Sequence, residues 1–196
     1  MSPETRAFEY ALGLYSVLVG LAVADIANSL HRLLRHRQDV RWDARVLLAT
    51  GFALLVAIGM WFDLWGVRNV ASTRHFFFYL LIVALLFLVF LIAAASLPDE
   101  HAGAVDLREF YDGNRSYFWT LVTLFEVTYF LMGYYFSGSL LPPGSAYMRF
   151  TYGTHMALLT LLPLALTRVR IRAFHYLGLV LLYLALAWHY SWYSIG

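Results

Sequence analysis

The chain has no cysteine and no lysine among its 196 residues. Without cysteine there are no disulfides, no cysteine-ligated iron–sulfur clusters and no haem attached through Cys-x-x-Cys-His. Without lysine, a Schiff base to retinal or pyridoxal phosphate is excluded. Charge is scarce too. Only 13% of residues are charged, against about 25% in soluble domains. No glycine-rich phosphate loop, nucleophile elbow or H-E-x-x-H motif occurs, so nothing in the sequence points to an enzyme.

What is present is apolar. Hydrophobic residues make up 61% of the chain, and the mean hydropathy is +0.65. That composition places the bulk of the chain in lipid, with no room for a separate soluble domain. The fold class expected is all-α: a polytopic integral membrane protein whose 196 residues form one transmembrane domain. Six transmembrane helices are expected, at about 8–34, 44–65, 76–97, 116–136, 147–167 and 173–193. A short amphipathic surface helix is expected over about 105–112, where Leu107, Phe110 and Tyr111 share one side and Gly113-Asn114 follows. Helix 3 is apolar all round, which assigns it to the lipid-facing periphery. The segment before the first apolar run holds Glu4, Arg6 and Glu9, so the first helix is read as retained and not as a cleaved signal.

All fourteen basic residues are arginine, and their placement is uneven. Ten fall on the first, third and fifth loops with their flanks, and four on the remaining segments. Arginine marks the cytoplasmic side, which puts both termini on the non-cytoplasmic side. A lysine-free, arginine-rich composition also suggests a GC-rich bacterial genome, hence a multi-pass protein of the bacterial inner membrane.

The stretch SYFWTLVTLFEVTYFLMGYYF, 116–136, carries the sharpest functional signal. Glu126 sits at its centre, ~15 Å from either end of that span. An ionised group at that depth costs at least ~2.5 kcal/mol, so it marks a functional position. Thr120, Thr123 and Glu126 recur at three-residue steps as a narrow polar stripe. His155 lies about eight residues into helix 5, ~12 Å deep, and antiparallel neighbours would bring it to Glu126. A carboxylate–imidazole pair is the hardware of a proton relay. The same residues could instead only fix helix packing.

Two further clusters stand out. Asp25, Asn28, Ser29 and Arg32 share a face of helix 1 at i, i+3, i+4 and i+7, read as a polar helix end with an internal contact of Asp25 to Arg32 or Asn28. Asp63, Arg68, Arg74, His75, Arg149 and His189 gather at the outer level as a vestibule or as interfacial anchors. No metal site is expected from them. His175 and His189 lie fourteen residues apart on helix 6, ~21 Å along one face. That spacing is similar to two-haem helices, which makes a b-type haem the lesser expectation beside no cofactor at all.

The segments LYSVLVGLAVADIANSLHRLLRHR and DLREFYDGNRSYFW, with the tryptophan-rich end of helix 2, resemble a group of uncharacterised bacterial integral membrane proteins. The resemblance covers most of the chain. It implies a membrane protein and no particular function. In that group the site of Asp25 is usually uncharged, which sets the resemblance against a role for Asp25.

The function expected is a small membrane channel or transporter for an ion or proton, with Glu126 and His155 at its core. The alternative is a non-transporting membrane subunit, either a haem-carrying redox protein or an assembly partner of a larger complex. The expected partners are the lipid bilayer and further copies of the chain, not nucleic acid.

Overall fold

The structure, a computed structural model, describes residues 3–66, 76–98, 104–137 and 145–191. Six helices occur among them: α1 (Pro3–Arg35), α2 (Ala44–Gly66), α3 (Phe76–Ser96), α4 (Leu107–Ser137), α5 (Ala146–Arg168) and α6 (Arg172–Tyr190). Two short strands, β1 (Val40–Arg41) and β2 (Val105–Asp106), complete the described elements. The fold is all-α. By length and composition α1, α2, α3, α5 and α6 are apolar enough to cross a membrane. These five identify a membrane protein. The helix missing from that set is α4, because Glu126, its threonines and its tyrosines dilute its apolar character.

α2 is the hub of the bundle and packs against α1, α3, α4 and α6. Its small residues make this possible. Ala49, Ala53 and Ala57 are fully buried at four-residue spacing, which lets neighbours approach closely. Gly51 and Gly59 extend this toward α6. A Cβ at Gly51 would collide with the Tyr183 hydroxyl, and one at Gly59 with the Tyr190 phenol.

α3 corrects the peripheral assignment. It touches α1, α2 and α4 and buries Ile82, Leu85, Leu86, Val89, Ile92 and Ala93. An all-apolar helix satisfies lipid and core equally well, so its lack of pattern did not report its position. Its exposed stripe, Phe77, Leu80, Val83 and Phe87, is apolar, as are Leu161 on α5 and Val180 and Leu184 on α6.

The start of α4 differs from expectation. No separate surface helix covers 105–112. Residues 107–137 form one helix, ~46 Å long at ~1.5 Å per residue. Leu107, Tyr111, Phe118, Val122 and Phe125 are all buried. That is one stripe of 3.6 period, so the apolar face of the supposed surface helix continues straight into the core. Asn114 lies on the same side, and its Nδ2 donates to the Ala95 carbonyl at 2.6 Å. Packing of this kind outweighs the ~1 kcal/mol that Gly113 costs inside a helix.

Two aspartates start helices at this end. Asp106 Oδ1 accepts the N–H groups of Arg108 (2.8 Å) and Glu109 (3.2 Å), capping α4. Asp43 Oδ1 accepts the Arg45 N–H at 2.8 Å and caps α2. β1 and β2 pair in parallel, Val40 with Val105 and Arg41 with Asp106, and tie the first loop to the third. The Arg41–Asp106 ion pair, 3.0 Å, lies on that ladder. The ends of α1, α3 and α5 and the starts of α2, α4 and α6 therefore share one face of the molecule. Arg32, Arg35, Arg37, Arg41, Arg45, Arg108, Arg115, Arg168, Arg170 and Arg172 all lie there, and we call it the arginine end.

Candidate functional site

At the opposite end, α2, α4, α5 and α6 converge on a cavity of about 30 Å³, room for a water molecule or two. Its polar lining is Asp63, Glu126, Tyr129, His189 and Tyr190, set among Val56, Met60, Phe125, Met156, Leu159 and Leu186. Glu126 is 5% exposed. Its position on the buried α4 stripe, one residue beyond Phe125, turns it inward. It lies ~28 Å along α4 from Leu107 and ~16 Å from Ser137, about one turn past the middle of the helix on the Ser137 side.

Asp63 organises the cluster. Its Oδ2 accepts the hydroxyls of Tyr129 (3.1 Å) and Tyr190 (3.2 Å), one from α4 and one from α6. Its Oδ1 is buried and has no hydrogen-bond partner. His189 Nε2 stands 3.8 Å from that oxygen, within ion-pair range and beyond a hydrogen bond. The His189 ring stacks on His155, centroids 5.7 Å apart and planes 6° from parallel. The edge of Tyr190 closes on the same ring at 4.8 Å. His155 Nε2 is the second buried polar atom of the cluster without a partner. Buried polar groups are almost always satisfied, so both atoms call for a partner that the described residues do not supply, and the cavity that Asp63 lines has room for water.

No protein-family model matches this chain, and no curated protein or solved structure does either. The site must be read from its own chemistry.

The structure brings together residues that the sequence reading kept apart. Asp63 and His189, expected in an outer vestibule, share one cluster with Glu126 and His155. The expected Glu126–His155 contact is absent among the described residues: no hydrogen bond or ion pair joins them, and His155 turns to His189 instead. Thr120 and Thr123 do not line the cavity. Their hydroxyls donate to their own helix, at Ser116 O (2.6 Å) and Trp119 O (2.8 Å). Each three-residue step lags the helical repeat by about 60°, so Thr120 has rotated onto the exposed side. Arg149 is exposed on the first turn of α5 and is not part of the lining. His75, Arg68 and Arg74 lie outside the described residues. On α1, Arg32 donates to Ser29 Oγ at 2.8 Å. Asp25, Asn28 and Arg32 do not line the cavity. Among the described residues no group of three or more His, Cys, Asp or Glu is arranged to hold a metal.

A second buried network fills the arginine end. Arg45, 1% exposed, forks onto Asp43 (2.8 Å) and reaches Asp112 (2.8 Å). Its guanidinium lies 4.7 Å over the Tyr111 ring. The Val169 carbonyl can only accept, so His175 Nε2 carries a proton and donates to it at 2.8 Å. In the neutral ring Nδ1 then accepts from the Tyr111 hydroxyl at 2.9 Å, and Trp119 Nε1 donates to that hydroxyl at 3.1 Å. Burial pushes the Tyr111 phenol up to about 12, against smaller opposing effects of the Trp119 hydrogen bond and the Arg45 charge. Burial also works against the Asp43 carboxylate, but the Arg45 hydrogen bonds and charge outweigh it and hold Asp43 below its ordinary value. With both His175 nitrogens engaged, haem ligation by this residue would first have to break two hydrogen bonds.

Sequence reasoning weighed Tyr129 only as a partner of Glu126, not of Asp63, and missed Tyr190 at the site. The signal was available in part: Gly59 and Asp63 lie four apart on α2, and a Tyr seven residues beyond Tyr183 on α6 keeps the same face.

Proposed function

We propose that this protein moves a proton or small cation across a membrane, with all six helices spanning it. Under this reading α4 crosses because its carboxylate, Glu126, is buried inside the bundle and its threonine hydroxyls donate to carbonyls of their own helix. The arginine end faces the cytoplasm, which leaves both termini outside, and the membrane is a bacterial inner membrane.

One observation carries the reading. Two carboxyl groups and the His189 imidazole line a water-sized cavity, His155 of α5 stacks on His189, and Asp63 Oδ1 and His155 Nε2 are buried without hydrogen-bond partners among the described residues. Intramembrane ionisable residues that face the bundle interior mark ion and proton pathways. Between this cluster and the arginine end lies a buried layer of apolar and aromatic side chains: Phe52 and Val56 on α2, Trp119 and Val122 on α4, Leu179 and Leu182 on α6. Phe52 and Trp119 pack ring on ring there, 6.1 Å apart. That layer favours a carrier that exposes its site to one side at a time over an open pore.

The test is flux into liposomes that contain the purified protein. Glu126→Gln keeps shape and hydrogen-bonding capacity, so it should preserve the fold and abolish flux. Wild-type flux in Glu126→Gln would remove Glu126 from the mechanism. Single cysteines at Gln38 and Ser145 should label from opposite sides, with Ser145 outside; labelling from the same side would overturn the six-span arrangement.

A further inference from the structure

Resting on that reading, we infer that the species carried is the proton itself, passed between Asp63 and His155 by way of His189. The argument is one of ligand supply. Metal cations such as Ca²⁺ and Mg²⁺ require about six or more oxygen ligands at short range. Here Asp63 Oδ2 is already taken by two tyrosine hydroxyls, which point hydrogens and not lone pairs at it. What remains in the lining is one Asp63 oxygen, the Glu126 carboxyl and the His189 ring, around a cavity of about 30 Å³, with His155 stacked on His189 outside the lining. That is too few oxygens and too little room for a hydrated metal ion. For a proton and one or two waters it suffices.

The geometry also orders the steps. Asp63 Oδ1 faces His189 Nε2 at 3.8 Å, close enough for transfer after a small approach or through one water. A proton that leaves the Asp63 carboxylic acid for Nε2 creates a carboxylate and an imidazolium. Loss of the Nδ1 proton from that imidazolium returns a neutral ring in the other tautomer. The net result is one proton moved, with His189 neutral again, Asp63 left as a carboxylate until it is reprotonated, and the positive charge passed on with the proton. His155 Nε2, stacked alongside, is the buried acceptor for it through water. Glu126 lines the same cavity from the α4 side and is the group that exchanges protons with the bundle interior. The two tyrosine hydroxyls hold Asp63 in place, so they are positioning residues.

The experiment uses the full chain in liposomes with an internal pH-sensitive dye, and in parallel vesicles with radiolabelled sodium or potassium. An imposed membrane potential should drive proton uptake well above that of protein-free vesicles, while tracer uptake stays at the protein-free level. Asp63→Asn and His155→Gln should each lower proton uptake at least tenfold while the melting temperature stays near wild type. Sodium or potassium uptake by the wild type would overturn the proton assignment and leave transport standing. Absence of both proton and tracer uptake would overturn the transport reading, and this inference with it. Full proton uptake in both variants would overturn the relay while keeping the proton as the species carried.

Discussion

The two ends of the bundle each bury a polar network built on an aspartate of α2's neighbourhood, and they are satisfied very differently. At the arginine end Arg45 spends its fork on Asp43 and reaches Asp112, both at 2.8 Å. Tyr111 receives one hydrogen bond and makes another, and both nitrogens of His175 are engaged. At the cavity end Asp63 Oδ1 and His155 Nε2 have no hydrogen-bond partner among the described residues. The Arg45 and Tyr111–His175 contacts fix α2, α4 and α6 in register, although Arg115 Nε at the same end is also buried without a hydrogen-bond partner. An unsaturated network costs stability, and it persists where something must enter and leave. Under the proposed function, the contrast gives the arginine end a structural role and the cavity end the transport role.

The comparison can be broken most forcefully at Arg45. Arg45→Met leaves Asp43 and Asp112 without their cation. Because Asp112 is 43% exposed and keeps its water, the loss should fall at the lower end for broken buried pairs, ~3 kcal/mol. Thermal unfolding in detergent measures it. Tyr111→Phe removes the hydroxyl that joins Trp119 to His175 and should cost ~1–3 kcal/mol by the same assay. Gly59→Ala drives a methyl against the Tyr190 phenol and swings its hydroxyl off Asp63. It should depress flux more than stability.

Acid sharpens the same contrast. Asp43 is lowered in the folded protein from its ordinary 3.8. Its contribution is therefore fully present above that value and is lost as the pH falls through the lowered one. The melting temperature of the wild type should drop on this acid limb, and Asp43→Asn should flatten it. The smallest effect on stability is expected from Asp63→Asn, within ~1 kcal/mol, because the amide oxygen still accepts both tyrosine hydroxyls.

Much of the fold was legible in the sequence. The apolar lengths identified the membrane class and placed six helices to within a few residues, apart from the start of α4. There the turn signal Gly113-Asn114 hid a continuous stripe through Leu107, Tyr111 and Phe118, and the helix-start signature of Asp106 with Glu109 went unread. Glu126 was legible because a lone acid in an apolar run is conspicuous. Its partners were not. Depth along a helix follows from counting residues, but rotation about the helix axis is set by packing. His155 was expected at the right helix pair, yet its ring faces α6 and not Glu126. The place of Asp63 was hidden for the same reason: at a helix end an acid reads as interfacial until its neighbours are known.

The measurement that bears most directly on the division between the two ends is flux per folded molecule for Asp63→Asn beside Tyr111→Phe, in matched liposomes. Asp63→Asn should be as stable as the wild type and silent in flux. Tyr111→Phe should unfold at a lower temperature while each folded molecule still carries protons at the wild-type rate. Wild-type flux in Asp63→Asn, together with lost flux in folded Tyr111→Phe, would contradict the account and move the function to the arginine end.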